Sequence, residues 1–256
     1  MKHLTIFLFA FLLFNCKNET KTKIKSLTAD EIVNKAIAVS GGNIFNPSTV
    51  VNIDFDFRNI GYRGIYSSEG KVLRRHIFKD GDTILDFLKG SQFQRYINEI
   101  PVKIKDSMIP RYSASVNSVH YFSVLPYGLN DKAVHKNLIG EERIKNQEYY
   151  KIEVTFDEEG GGEDFDDVFI YWINKDNFKV DYLAYSYAED DGRGLRFRAA
   201  YNERYVNGLR FVDYNNYKPI NNTTKLENLG SAFINQNLEL LSKIELENVS
   251  VDLIDL

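Results

Sequence analysis

The chain has one cysteine, Cys16, among 256 residues, so it can form no internal disulfide and its fold must hold by core packing whatever its redox compartment. Its four histidines, His3, His76, His120 and His135, show no HxH or HExxH spacing and have no second cysteine beside them, which leaves a zinc centre or a metalloprotease without a ligand set. There is no G-x-S-x-G elbow, no P-loop and no G-x-G-x-x-G, so nucleophilic catalysis and nucleotide cofactors have no motif to rest on. Surplus charge is also missing. Lysine and arginine number 32 against 36 acidic residues, a net charge of -4 with the signs interspersed, which argues against a nucleic-acid partner and against a polybasic membrane patch. Long apolar runs are absent except for Leu4 to Phe14, and a helix of that length spans about 16 Å, roughly half the hydrocarbon core of a bilayer.

That run follows Met1-Lys2-His3, a short positive start, and so reads as the h-region of a signal peptide over residues 1–15. It ends at Leu13-Phe14-Asn15-Cys16, which resembles the lipobox of bacterial lipoproteins, with Asn15 where the motif favours a smaller residue. The resemblance implies cleavage before Cys16 and acylation of its thiol. Two or three acyl chains suffice for stable anchoring, so the membrane becomes the first expected partner and the cell envelope, periplasmic or outer-membrane, the expected location. Lys17 to Lys25 (KNETKTKIK) is too polar to bury surface against the entropy of ordering, so residues 16–25 read as lipidated cysteine and flexible tether. No linker divides residues 26–256, which read as a single β-rich domain.

Tyrosine (16) and phenylalanine (18) are abundant, and both favour strands. Thr28 and Glu31 have capping-box spacing, Ile32, Val33, Ala36 and Ile37 share a helical face, and Gly41-Gly42 can end the helix. From Val50 to Arg58 the set Val51, Ile53, Phe55, Phe57 alternates with polar residues, the pattern of a strand with one wet face. Strands are expected at 62–67, 72–79, 83–88 and 93–97, with Asp80-Gly81-Asp82 as a tight turn, then a helix over 112–125 ended by Pro126. Further strands follow at 134–140, 149–156, 168–174, 180–187, 195–206 and 209–217, a short helix near 231–238, and a last strand over 243–253. Asn207-Gly208 is the strongest hairpin signal, because a type I′ turn needs positive φ at both central residues. The fold class is mainly β (α+β), an antiparallel meander with a short N-terminal helix and one or two more.

This order of elements, with the helix ADEIVNKAIAVSGG (Ala29 to Gly42) as its sequence anchor, resembles the LolA/LolB-type lipoprotein-sorting fold. The resemblance implies an open, curved sheet or half-barrel that wraps helices and shelters acyl chains. The segments Gly160 to Tyr187 and Gly194 to Tyr217 resemble a family of uncharacterised secreted bacterial proteins, which implies no activity.

Three clusters carry candidate chemistry. Asp157, Glu158, Glu159, Glu163, Asp164, Asp166 and Asp167 crowd around Gly160-Gly161-Gly162 and offer hard oxygen ligands of the kind Ca²⁺ accepts, with Asp157, Glu163, Asp164, Asp166 and Asp167 as the ligand set. A solvated loop accounts for the same residues. Arg193, Arg196 and Arg198 could clamp a carboxylate or phosphate, although Arg196 and Arg198 alternate with Leu195, Phe197 and Ala199 and so read as the solvent face of a strand. The aromatic stripe Tyr171, Trp172, Tyr182, Tyr185, Tyr187, Tyr201, Tyr205, Tyr214 and Tyr217 could line an amphipathic pocket or simply pack. For a ligand we expect Tyr171, Trp172, Tyr185, Tyr187, Tyr201, Arg193 and Arg196. The expected function is non-enzymatic shelter of a lipid or other apolar ligand without a cofactor. The alternatives are an enzyme or cation-dependent binder built on loop 157–167 and nearby arginines, or a structural envelope-interaction protein.

Overall fold

The computed structural model describes residues 26–161, 165–189, 192–221 and 223–255, and side chains for all of these except 188, 189, 192 and 193. The signal segment, Cys16 and the tether lie outside the described residues. Helix α1 spans Ala29–Val39. Its capping box forms as the spacing requires: Glu31 N donates to Thr28 Oγ1 at 3.2 Å and Thr28 N to Glu31 Oε2 at 2.7 Å.

After α1 the chain forms β1 (Thr49–Phe57), β2 (Ile60–Ser67), β3 (Gly70–Lys79), β4 (Asp82–Lys89), β5 (Gln92–Ile97) and β6 (Ile100–Val102). Helix α2 (Ile109–Ser123) follows, with Pro110 in its first turn, where no amide donor is needed. Then come β7 (Val134–Ile144), β8 (Gln147–Phe156), β9 (Val168–Asn174), β10 (Val180–Glu189), β11 (Gly192–Val206) and β12 (Leu209–Pro219). A short helix α3 (Leu229–Ile234) precedes β13 (Leu238–Ile244) and β14 (Glu247–Asp255). Two seven-stranded antiparallel sheets result, ordered β14-β1-β2-β3-β4-β5-β6 and β13-β12-β11-β10-β9-β8-β7. Neither closes into a barrel, and the fold is mainly β with some helix.

The expected single strand over 243–253 is two strands, one in each sheet. Asp213 and Arg204 hold the break between them: Leu246 N donates to Asp213 Oδ1 at 3.1 Å, and Arg204 Nη2 donates to Leu246 O at 2.7 Å. The helix expected near 231–238 ends at Ile234, because Leu238 already pairs with Pro219 as the first residue of β13.

Two turns obey local chemistry. Asn207 (φ 45°) and Gly208 (φ 86°) join β11 to β12, and Asp80 (φ 53°) with Gly81 (φ 89°) joins β3 to β4, each with two positive φ angles as a type I′ hairpin demands.

Three apolar clusters hold the layers. Val51, Ile53 and Phe55 of β1 pack with Leu73, Leu88, Val116 of α2 and Phe211. On the second sheet, Ile152, Val154, Tyr171, Ile173 and Leu183 meet Ile32, Val33 and Ala36 of α1. The opposite face of that sheet, with Trp172, Tyr182, Ala184 and Phe197, is covered by Leu229 and Phe233 of α3. Helix α2 therefore lies between the sheets and the second sheet is buried on both faces. All three clusters are drawn from Leu27 onward.

Candidate functional site

The side of α2 that carries Val116 and His120 packs on the first sheet. His120 is buried at 1% exposure, edge-on to the stacked rings of Phe55 and Tyr62, each 5.6 Å away, with Nε2 3.0 Å from Arg74 O. That carbonyl can only accept, so Nε2 carries the proton of a neutral ring. Burial, with a smaller contribution from the nearby Lys71 charge, holds its pKa down to about 4. Because the folded value is depressed, stability is fully present above the unfolded value of about 6.5 and is lost as pH falls through that window towards 4. Between pH 7.5 and pH 4 the wild type should lose about 3 kcal/mol more unfolding free energy than His120→Gln, measured by urea denaturation at both pH values. Equal losses would refute this.

The other side of α2 faces the second sheet across a cavity of about 430 Å³. Asn117, Val119, Tyr121 and Phe122 of α2 form one wall. Phe156, Phe169, Tyr185, Tyr187, Val212 and Tyr214 of the sheet form the other. Ile244 and Leu246, where the chain passes from β13 to β14, close one side, and Phe57 reaches in from the first sheet. The aromatic wall is continuous: Phe122 lies 5.4 Å from Tyr185, which stacks on Phe169 at 5.2 Å, which in turn stacks on Tyr171 at 6.0 Å. Beneath it, the hydroxyls of Tyr121 and Tyr171 share a 2.6 Å hydrogen bond. Burial pushes both phenols well above their ordinary pKa, so the pair stays neutral.

Besides Asn117, Ser118 and Ser123 of α2, charged groups enter this cavity at two places. Asp166 and Asp167 line it from the acidic loop, Asp166 exposed and Asp167 buried with a partner of its own. Arg198 of β11 lines it from the sheet at 8% exposure. The solvent-face reading of Arg198 is thereby corrected. Leu195, Phe197 and Ala199 do alternate with Arg196 and Arg198, but the face opposite Phe197 is roofed by α2 rather than wetted.

The expected ligand residues divide accordingly. Tyr185 and Tyr187 line the cavity and Tyr171 packs directly behind its wall. Trp172 is on the far face under α3, fully buried, its Nε1 donating to Glu142 Oε2 at 2.9 Å, and Tyr182 and Tyr217 are with it. Tyr171 and Trp172 are consecutive in a strand and so must point to opposite faces. Tyr201 instead donates to Glu245 Oε1 at 2.7 Å, and Tyr205 to Val39 O at 3.1 Å. Arg196 sits over the Tyr187 ring at 4.8 Å without lining the cavity, and the Arg193 side chain lies outside the described residues.

Of the expected cation ligands, Glu163 and Asp164 lie outside the described residues. Asp157 Oδ1 is 2.7 Å from His135 Nε2. Among the described residues no three histidine, cysteine or acidic side chains are placed to hold a metal ion. Sequence reasoning did not single out Tyr121 and Phe122 of α2 for the site. Two adjacent aromatics in a helix with a weakly apolar face were the available sign.

Among solved structures the chain is similar to a LolA superfamily protein from Nitrosomonas europaea, at 15% identity and a TM-score of 0.46, with 90% of this chain and 93% of that one covered. It is similar to a DUF1329 family protein from Desulfovibrio piger at 13% identity and a TM-score of 0.43, covering 89% and 94% of the two chains. The lipoprotein LppX from Mycobacterium tuberculosis is a more distant likeness, at 12% identity and a TM-score of 0.26 over 61% of this chain and 88% of that one. Likeness at these levels says nothing of what the chain binds. No curated protein matches it significantly. Its sequence does match, over residues 2–247, the model of a family of unknown function, DUF6503, and the chain belongs to that family.

Proposed function

We propose that the chain is a cell-envelope lipoprotein, tethered through acylated Cys16 and residues 17–25, that shelters an apolar ligand without chemical turnover in the cavity between α2 and the second sheet. The observation that carries the reading is the cavity itself. Its volume of about 430 Å³ falls in the range of small-molecule sites, and its walls are mainly aromatic and aliphatic with few polar groups. The aromatic residues there supply apolar bodies to a ligand's chain, and the tyrosines add polar tips.

Native mass spectrometry of residues 26–256, which hold every core cluster, tests the reading. A co-purifying lipid-sized mass that Phe169→Asp or Tyr185→Asp abolishes is expected. A bare protein that also takes up no added single-chain amphiphile would sink it. Anchoring is tested separately: metabolic labelling with an alkyne fatty acid should mark the wild type and not Cys16→Ala.

A further inference from the structure

Among the described residues the buried arginines follow one rule with one exception. Arg75 is paired with Asp86 at 2.7 Å, and Arg210 with Glu203 at 2.8 Å. Arg198, equally buried, has no carboxylate partner among the described residues. Its Nη2 donates to Tyr185 Oη at 2.9 Å, its guanidinium lies 3.7 Å from the centre of the Phe122 ring, and its Nε is buried with no hydrogen-bond partner. A guanidinium cannot shed its proton, and an uncompensated charge in such surroundings is costly. Aromatic faces offset part of that cost but leave the donors of the planar fork unused. Arg198 lines the cavity between α2 and the second sheet, and its Nη1 makes no hydrogen bond among the described residues.

Resting on the sheltering reading above, we propose that the ligand is an amphiphile with an anionic oxyacid head, a carboxylate or a phosphate, seated on Arg198 with its chain along Phe122, Phe169 and Tyr185. An oxyanion would accept from Nη1 and Nη2 at the outer end of the fork, in the bidentate fashion guanidinium favours, since Nε itself is closed off by its surroundings. Asp166 and Asp167 line the same cavity, and among the described residues neither makes a direct ion pair with Arg198. The arginine is also fixed in place, since Leu183 and Asn216 flank it on the neighbouring strands and Tyr185 Oη holds one nitrogen.

The test is titration calorimetry of residues 26–256 with three amphiphiles that share a sixteen-carbon chain: palmitate, palmitoyl lysophosphatidate and hexadecanol. Wild type should bind at least one of the two acids about tenfold or more tightly than the alcohol, as a charge-assisted hydrogen bond implies. Preference for palmitate identifies a carboxylate head and preference for lysophosphatidate a phosphate head. Arg198→Met should abolish the preference while keeping hexadecanol affinity, and Arg198→Lys should restore part of it. If wild type binds acid and alcohol equally, the head-group assignment falls while the sheltering reading stands. If it binds none of the three, both fall. The wild-type comparison needs no variant, so a poorly folding Arg198→Met leaves the answer intact.

Discussion

Asp86→Ala is expected to lower the unfolding free energy by about 4 kcal/mol, because it strands one buried and one partly buried guanidinium group at once. Asp86 is fully buried on β4. Arg75 Nε and Nη2 donate to its Oδ2 at 3.0 and 2.7 Å, and Arg95 Nε donates to Oδ1 at 2.6 Å. Both arginines also hold α2. Arg75 Nη1 donates to Ser115 Oγ at 2.6 Å, and Arg95 lies over the Tyr112 ring at 4.0 Å. The loss should therefore loosen the helix that forms one wall of the cavity, and ligand retention should fall with stability. Replacing the whole group, with Asp86→Leu, Arg75→Met and Arg95→Met together, should recover most of the loss, since the cost comes from unpaired charge rather than from the missing pair. Urea denaturation of the single and triple variants decides it. A triple variant no better than Asp86→Ala would show that the group supplies net stability.

Gly41→Ala should be nearly as damaging, at about 3 kcal/mol, and for a different reason. Gly41 ends α1 at φ 86°, and a Cβ there would sit 2.0 Å from the carbonyl oxygen of Gly208, a backbone atom that cannot swing aside. This approach docks α1 on the β11–β12 hairpin: Arg210 N donates to Ser40 O at 3.0 Å and Tyr205 Oη to Val39 O at 3.1 Å. Gly208 is the matched control. It has the same φ of 86°, yet an added Cβ would meet nothing within 4 Å, so Gly208→Ala should cost only the conformational part, about 1 kcal/mol. Equal losses in the two variants, read from chemical denaturation midpoints at constant slope, would remove the steric account of Gly41.

What could be read from the chain in advance was what neighbours in sequence decide. The capping box at Thr28, the alternation of β1 and the Asn207-Gly208 turn each depend on residues within a few positions, and all three are present. The strands were placed for the same reason. Their division into two sheets was not, because Lys243 to Leu253 keeps an apolar pattern through Leu246 and only Arg204 and Asp213, distant in sequence, hold the break. The site was legible in part. Tyr185 and Tyr187 stand out because tyrosine suits a mixed surface, whereas Trp172 shares that composition but strand geometry sends it to the opposite face. Arg198 reads as wet in the sequence because alternation marks two faces without saying what covers either. Helix α3 covers one face of that sheet and α2 the other, and neither contact leaves a trace in the local pattern of β11.

The pairing of the last strand with the first has a kinetic consequence. β14 completes the edge of the first sheet by lying along β1, and Asn248 Nδ2 reaches Asp56 Oδ2 across 192 residues of chain. Until the C-terminal residues have been synthesised, β1 presents an open hydrogen-bonding edge and the Val251 position of its core is empty. The first half of the chain cannot settle ahead of the second, so folding should be slow and should wait for the strand that closes the first sheet.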